Sequence, residues 1–290
     1  MKIVLCLSAV LIMLPTHALS KETYKFERMW PTFQQPWAFS PIGIAIDADG
    51  NVFITDGNNQ TIHKLTANGQ LITKWGTFGS GDGDFWGPQG IAVDESGNIY
   101  VADTGNHRIQ KFTAEGKFIA KWGGPGTENE KLDNPTGIAI DDDGYMYVVD
   151  SGNNRVQKFT LNGQFISKWG GEGDGEGEFR FSHLFDGGYF DCRGGIAIGA
   201  NGNIYVTDTF NHRIQKFTSD GQFITQWGSM GGGNGEFSRP YGIAIDSNNR
   251  VFVAEFFNNR VQIFAPDGQF ISMWGSYGSG DGKLWEPKGI

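Results

Sequence analysis

Beyond residue 20 the chain runs in short apolar stretches broken by Gly, Asn and Asp, and the i, i+3, i+4 apolar spacing of helices is hard to find. Gly90-Ile91-Ala92-Val93-Asp94 predicts one strand and Asn98-Ile99-Tyr100-Val101-Ala102-Asp103 a second, with Glu95-Ser96-Gly97 as the tight turn between them. Arg108 to Phe112 and Lys117 to Trp122 predict a third and a fourth strand around Ala114-Glu115-Gly116. These strands hold more apolar residues than strict alternation gives, as expected of sheets packed on both faces.

The pattern repeats. Glycines that open Gly-Ile-Ala-type segments stand at 43, 90, 137, 195, 242 and 289, and Trp75, Trp122, Trp169, Trp227 and Trp274 keep the same step of 47 residues with one step of 58. Units of this length with four antiparallel strands describe blades that bury their faces on one another. The repeats are expected at 43–76, 90–123, 137–170, 195–228 and 242–275, with a sixth starting at 289.

Asp103-Thr104-Gly105-Asn106-His107-Arg108-Ile109-Gln110-Lys111-Phe112, its copy from Asp208 to Phe217 and the Asn-Asn-Arg variants at Asn153 and Asn258 resemble the NHL-repeat signature. Linkers such as Gly79-Ser80-Gly81-Asp82-Gly83-Asp84-Phe85 resemble that family's connection between blades. The resemblance covers residues 43–290 and implies an all-β, six-bladed β-propeller of four-stranded antiparallel blades. The chain stops two residues into a sixth first strand, and Tyr24 to Trp30 resembles an isolated fourth strand ending in Trp. The expectation is five full blades plus an N-terminal strand that would share the sixth blade with further C-terminal strands.

Residues 1–20 carry one charge, Lys2, an apolar run from Ile3 to Leu14, and then Ala18-Leu19-Ser20, which reads as a cleavable signal peptide. Twelve apolar residues are too few to span a bilayer. The mature domain, 21–290, is expected to be secreted or periplasmic and without membrane insertion. Its net charge falls from −9 to −10 on loss of Lys2, which disfavours nucleic acid as a partner. Cys192 is its one thiol, so no internal disulfide forms.

Residues present in every unit are most simply read as scaffolding. Asp103, Asp150, Asp208 and Glu255 each precede an arginine (Arg108, Arg155, Arg213, Arg260) by five residues, a spacing that closes a carboxylate–guanidinium pair across the loop between second and third strands. In the first unit Asp56 faces Thr61 instead. The acidic turns Asp47 to Gly50 and Asp141 to Gly144 have Gly at the fourth place, where a calcium loop wants it at the sixth, so they read as hairpin turns. Zinc lyases that resemble this family in fold place histidines before the innermost strands. Here those places hold Ile42, Gln89, Thr136, Gly194, Tyr241 and Lys288, so no metal, cofactor or catalytic set is expected.

The symmetry breaks once, where eleven extra residues enter between Trp169 and Gly195. The stretch 172–193 mixes charges with aromatics and should stand beside the central opening on the face that carries the inter-blade linkers. Its candidate ligand-binding residues are Arg180, His183, Asp186, Tyr189, Asp191 and Arg193; the competing reading is a local cap over the third and fourth blades. Summed over all linkers, this face is expected to carry −8. The function these features suggest is a non-enzymatic exported module or scaffold that binds a protein, peptide or glycan. The alternative is a metal-dependent lyase or hydrolase acting at the central channel.

Overall fold

The computed structural model describes residues 40–184 and 190–290, without the side chains of 183, 184 and 190–192. The leader expected at 1–20 and the strand expected at Tyr24 to Trp30 lie outside the described residues. The fold is all-β, with five four-stranded antiparallel sheets arranged as propeller blades. Blade 1 runs outward through Pro41–Ile46, Val52–Asp56, Thr61–Leu65 and Leu71–Trp75, and the blades at 88–123, 135–170, 196–227 and 240–274 repeat this order.

In four blades the innermost strand begins at a proline (Pro41, Pro88, Pro135, Pro240), two residues before the expected glycine. Proline is tolerated there because this is an edge strand whose start needs no donor. In blade 4, where the extra residues intervene, it begins at Ile196. The glycines explain how the blades meet at the axis. A Cβ on Gly43, Gly90, Gly195 or Gly242 would lie 2.2 to 2.3 Å from the carbonyl oxygen of Gln89, Thr136, Tyr241 or Lys288 in the next blade, so only glycine fits. Gly289 occupies a sixth place and returns to the Ile42 carbonyl, closing the inner ring at six positions.

Blades pack through apolar layers, each plugged by a linker side chain at an equivalent position. Phe85, Leu132, Phe179 and Phe237 are buried between blades 1 and 2, 2 and 3, 3 and 4, and 4 and 5. Burying one such phenylalanine contributes roughly 1.5–3 kcal/mol. The blade-end indoles of Trp75, Trp122, Trp169 and Trp227 lie against Gly116, Gly163, Gly221 and Gly268 in the outer hairpin of the following blade. Those hairpin glycines have φ of +82 to +89°, so turn and packing both require them.

Candidate functional site

The loops between second and third strands and the inter-blade linkers share one face of the disc. On it, Asp103, Asp150, Asp208 and Glu255 are fully buried and meet Arg108, Arg155, Arg213 and Arg260 at 2.6, 2.7, 2.7 and 2.5 Å. Each arginine also donates to three carbonyls of the linker entering its blade; Arg155 reaches Thr127, Glu128 and Lys131. Two further side chains complete the clamp. Asn153 and Gln157 both donate to Asp150 and to the same linker, and Gln157 Oε1 accepts the Glu130 N–H. Burial pushes the Asp150 and Asp208 carboxyls above their ordinary value, against the pull of the donors around them. The Asp150 oxygens meet four donors, the Asp133 N–H and the side chains of Asn153, Arg155 and Gln157, so the geometry holds the ionised pair. Blade 1 replaces arginine with Thr61 and glutamine with His63. There the donors of His63, Asn59 and the Ser40 backbone outweigh burial and hold Asp56 below its ordinary value.

The residue before each arginine, or before Thr61 in blade 1, performs a different task. Gln60, His107, Asn154, His212 and Asn259 all adopt left-handed φ of 50 to 57°. From there each accepts a backbone N–H of the linker leaving its blade, at Gly87, Asn134, Phe181, Arg239 and Glu286. Burial and the neighbouring Arg239 guanidinium lower the His212 pKa, which keeps Nδ1 free to accept. His107 Nδ1 is also 3.1 Å from Asp133 Oδ1.

The extra residues form a small hairpin, Ser182–Leu184 paired with Phe190–Cys192, closed at its base by the Arg193 N–H to the Phe181 carbonyl at 2.7 Å. Two aromatics at that base turn inward. Phe179 and Phe181 are fully buried and stacked at 4.6 Å, because the inter-blade layer needs apolar volume there. Arg180 is exposed, while its backbone is pinned to Asp208 and Phe210 of the blade 4 loop. Arg193 lies 4.3 Å from the Phe256 ring and 5.3 Å from Tyr241, so it leans toward blade 5. Asp186 and Tyr189 lie outside the described residues, as do the side chains of His183 and Asp191.

Beside the hairpin stand residues that spacing alone did not single out. Blade 5 has Phe256 where blades 2, 3 and 4 have Thr104, Ser151 and Thr209. At the next position Phe210 and Phe257 replace Gly105 and Gly152, and they hold the Arg239 guanidinium between them at 4.8 Å from each ring. Tyr241 reaches across the axis and donates to Gln89 Oε1 at 2.7 Å. The channel at this bridge is a cavity of about 90 Å³, lined mostly by the Gly and Ile of the innermost strands, with Gln89, Thr136, Tyr241 and Lys288. Among the described residues no group of three His, Cys, Asp or Glu is placed to hold a metal ion. Several linker acids have local partners: Asp82 pairs with Lys121 at 2.6 Å, and Glu178 and Glu236 accept the N–H of Gly175 and Gly233.

Residues 40–65, 85–112 and 132–159 match the profile of the NHL repeat, and residues 197–274 match a family described as a 6-bladed beta-propeller. No curated protein matches the chain. Among solved structures it is similar to virginiamycin B lyase from Staphylococcus aureus, at 17% identity and TM-score 0.56, over 82% of this chain and 70% of that one. It is similar to a chain of a nidogen/laminin complex, at 17% identity and TM-score 0.61, over 89% and 86%. A Bacteroides caccae protein of unknown function aligns at 12% identity and TM-score 0.58, over 84% and 83%. Identities this low carry the fold and nothing further.

Proposed function

The chain is a β-propeller built from NHL repeats, and we propose that it is an exported, non-enzymatic module that presents its linker face to a protein, peptide or glycan. One observation carries this reading: the residues repeated from blade to blade are engaged in holding linkers, whereas the aromatic departures from the repeat in blades 4 and 5 gather with Arg193 and Arg239 beside the 182–192 hairpin. Aromatic and arginine side chains of the kind found there are enriched where proteins bind partners. A similar fold occurs in a chain of a nidogen/laminin complex, and it also occurs in a lyase. Chemistry at the axis calls for converging ionisable groups. The channel lining offers Gly, Ile, Gln, Thr, Tyr and Lys, which favours binding over catalysis.

The test removes residues 182–192, restoring the linker length of the other blades, and measures ligands selected on the mature protein from glycan arrays and displayed peptides. Binding should weaken at least ten-fold while thermal unfolding stays cooperative. Unchanged affinity in the folded variant would refute the role of the hairpin. Export is tested by N-terminal sequencing of protein recovered outside the cytoplasm, which should begin near Lys21.

A further inference from the structure

Because the linkers share one plan, equivalent positions can be compared blade by blade. The third residue after each blade-end Trp forms the crest of its linker, where its backbone pairs with the residue plugging the blade interface. The crests are Phe78, Pro125, Glu172, Met230 and Tyr277, all exposed. Glu172 serves there as well as any, so the blade itself needs nothing apolar at this position. Yet Phe78, Met230 and Tyr277 leave 68, 76 and 65% of their surface in contact with solvent. Trp86, 56% exposed, stands edge-on to Phe78 with ring centres 6.1 Å apart, and Trp285 repeats this beside Tyr277 at 5.9 Å.

These apolar crests are not scattered. They occupy the linkers after blades 4, 5 and 1, which follow one another around the ring apart from the connection out of the sixth position. The acids concentrate in the other two linkers, Glu128 and Glu130 after blade 2 and Glu172, Asp174 and Glu176 after blade 3, all exposed, whereas the linker after blade 1 holds Asp82, paired with Lys121, and the half-buried Asp84. The linkers after blades 4 and 5 are balanced in formal charge by Arg239, Lys283 and Lys288. The face is therefore divided into an apolar arc and an acidic half.

We propose that this face docks a protein partner whose apolar side chains seat on the arc while an adjacent basic patch lies over the acidic half. The inference rests on the binding reading above and names the partner's chemistry. Met, Trp, Tyr and Phe are the residues enriched in the cores of protein interfaces. An exposed apolar arc of this kind on a polar surface marks an interaction site. The most exposed crest is Met230, which has no flat ring on which a sugar could stack, so a protein is favoured over a glycan. Charge fixes the orientation, because like charge over the acidic half opposes docking and opposite charge accelerates it.

The experiment uses a phage-displayed library of random twelve-residue peptides selected on the mature chain. Bound peptides should combine apolar residues with Lys or Arg. The variant Phe78→Ser/Met230→Ser/Tyr277→Ser, altered only at exposed positions, should keep its melting temperature and lose at least ten-fold in affinity through faster dissociation. The variant Glu128→Lys/Glu130→Lys/Glu172→Lys should slow association several-fold and remove most of its salt dependence. Peptides rich in Asp or Glu, or peptides indifferent to both variants, overturn the proposal. If removal of 182–192 abolishes binding and the serine variant does not, the binding reading stands and the arc is wrong; if neither change matters, both fall. Laminarin or xylan bound by the wild type and lost in the serine variant, with no peptide selected, would make the arc a glycan site and overturn the protein partner.

Discussion

Asp150→Ala is the sharpest test of the clamp. Asp150 is fully buried and its oxygens meet the Asp133 N–H at 2.6 Å, Arg155 Nε at 2.7 Å, Asn153 Nδ2 at 2.9 Å and Gln157 Nε2 at 3.0 Å. Truncation leaves Arg155 charged in a buried site with only its three linker carbonyls. Breaking a buried pair in this way costs about 3–5 kcal/mol, against about 0–1 kcal/mol for an exposed pair. At about 2–4 °C per kcal/mol for a domain of this size, the melting temperature should fall by roughly 6–20 °C. The assay is thermal unfolding by circular dichroism at neutral pH, with Lys121→Ala as the control because its pair with Asp82 is half-exposed. Asp150→Ala/Arg155→Met should recover part of the loss, since the orphaned charge is gone. A drop no larger than that of the control, or a double variant worse than the sum of its parts, would refute the reasoning.

Two other substitutions probe the joints between blades. His212 accepts the Arg239 N–H as a neutral imidazole with a lowered pKa, so its share of stability is complete above its ordinary pKa of about 6.5 and is lost as pH falls below that value toward the folded one. His212→Asn, matching Asn154 and Asn259 in the same left-handed place, should show a smaller fall in melting temperature from pH 7.5 to pH 5 than the wild type; identical falls would rule the histidine out. Gly195→Ala would set a Cβ 2.3 Å from the Tyr241 carbonyl and should cost about 1–3 kcal/mol or more in denaturant unfolding. Gly171→Ala, which meets nothing within 4 Å, should be neutral or slightly stabilising.

The blade, its period and the place where symmetry breaks were all legible in the sequence, because strand patterns and the spacing of Gly43, Gly90 and their copies are local signals. The Asp–Arg contact could be read for the same reason: its members are five residues apart. The remainder of the clamp could not. Asn153 and Gln157 find their linker partners 27 and 26 residues away, and only folded geometry shows that one loop grips both the linker entering its blade and the one leaving. The Tyr241–Gln89 bridge spans 152 residues and depends on ring order, which no repeat spacing reveals. Composition treats Phe181 as one more aromatic in a charged stretch; its stacking on Phe179 between blades makes it structural.

The base of the 182–192 hairpin has a practical consequence. Everything that Arg213, Asn211 and Gln215 grip in that linker lies before residue 179, and the ring is rejoined only at Gly194. Extra length has therefore entered at a point that neither the grip nor the ring registers. The corresponding points after Gly87, Asn134 and Arg239 are built alike, each held by a side chain of the preceding blade. The disc is in this sense a mounting plate with several equivalent sockets, and foreign loops could be grafted at the unused ones without disturbing the frame beneath.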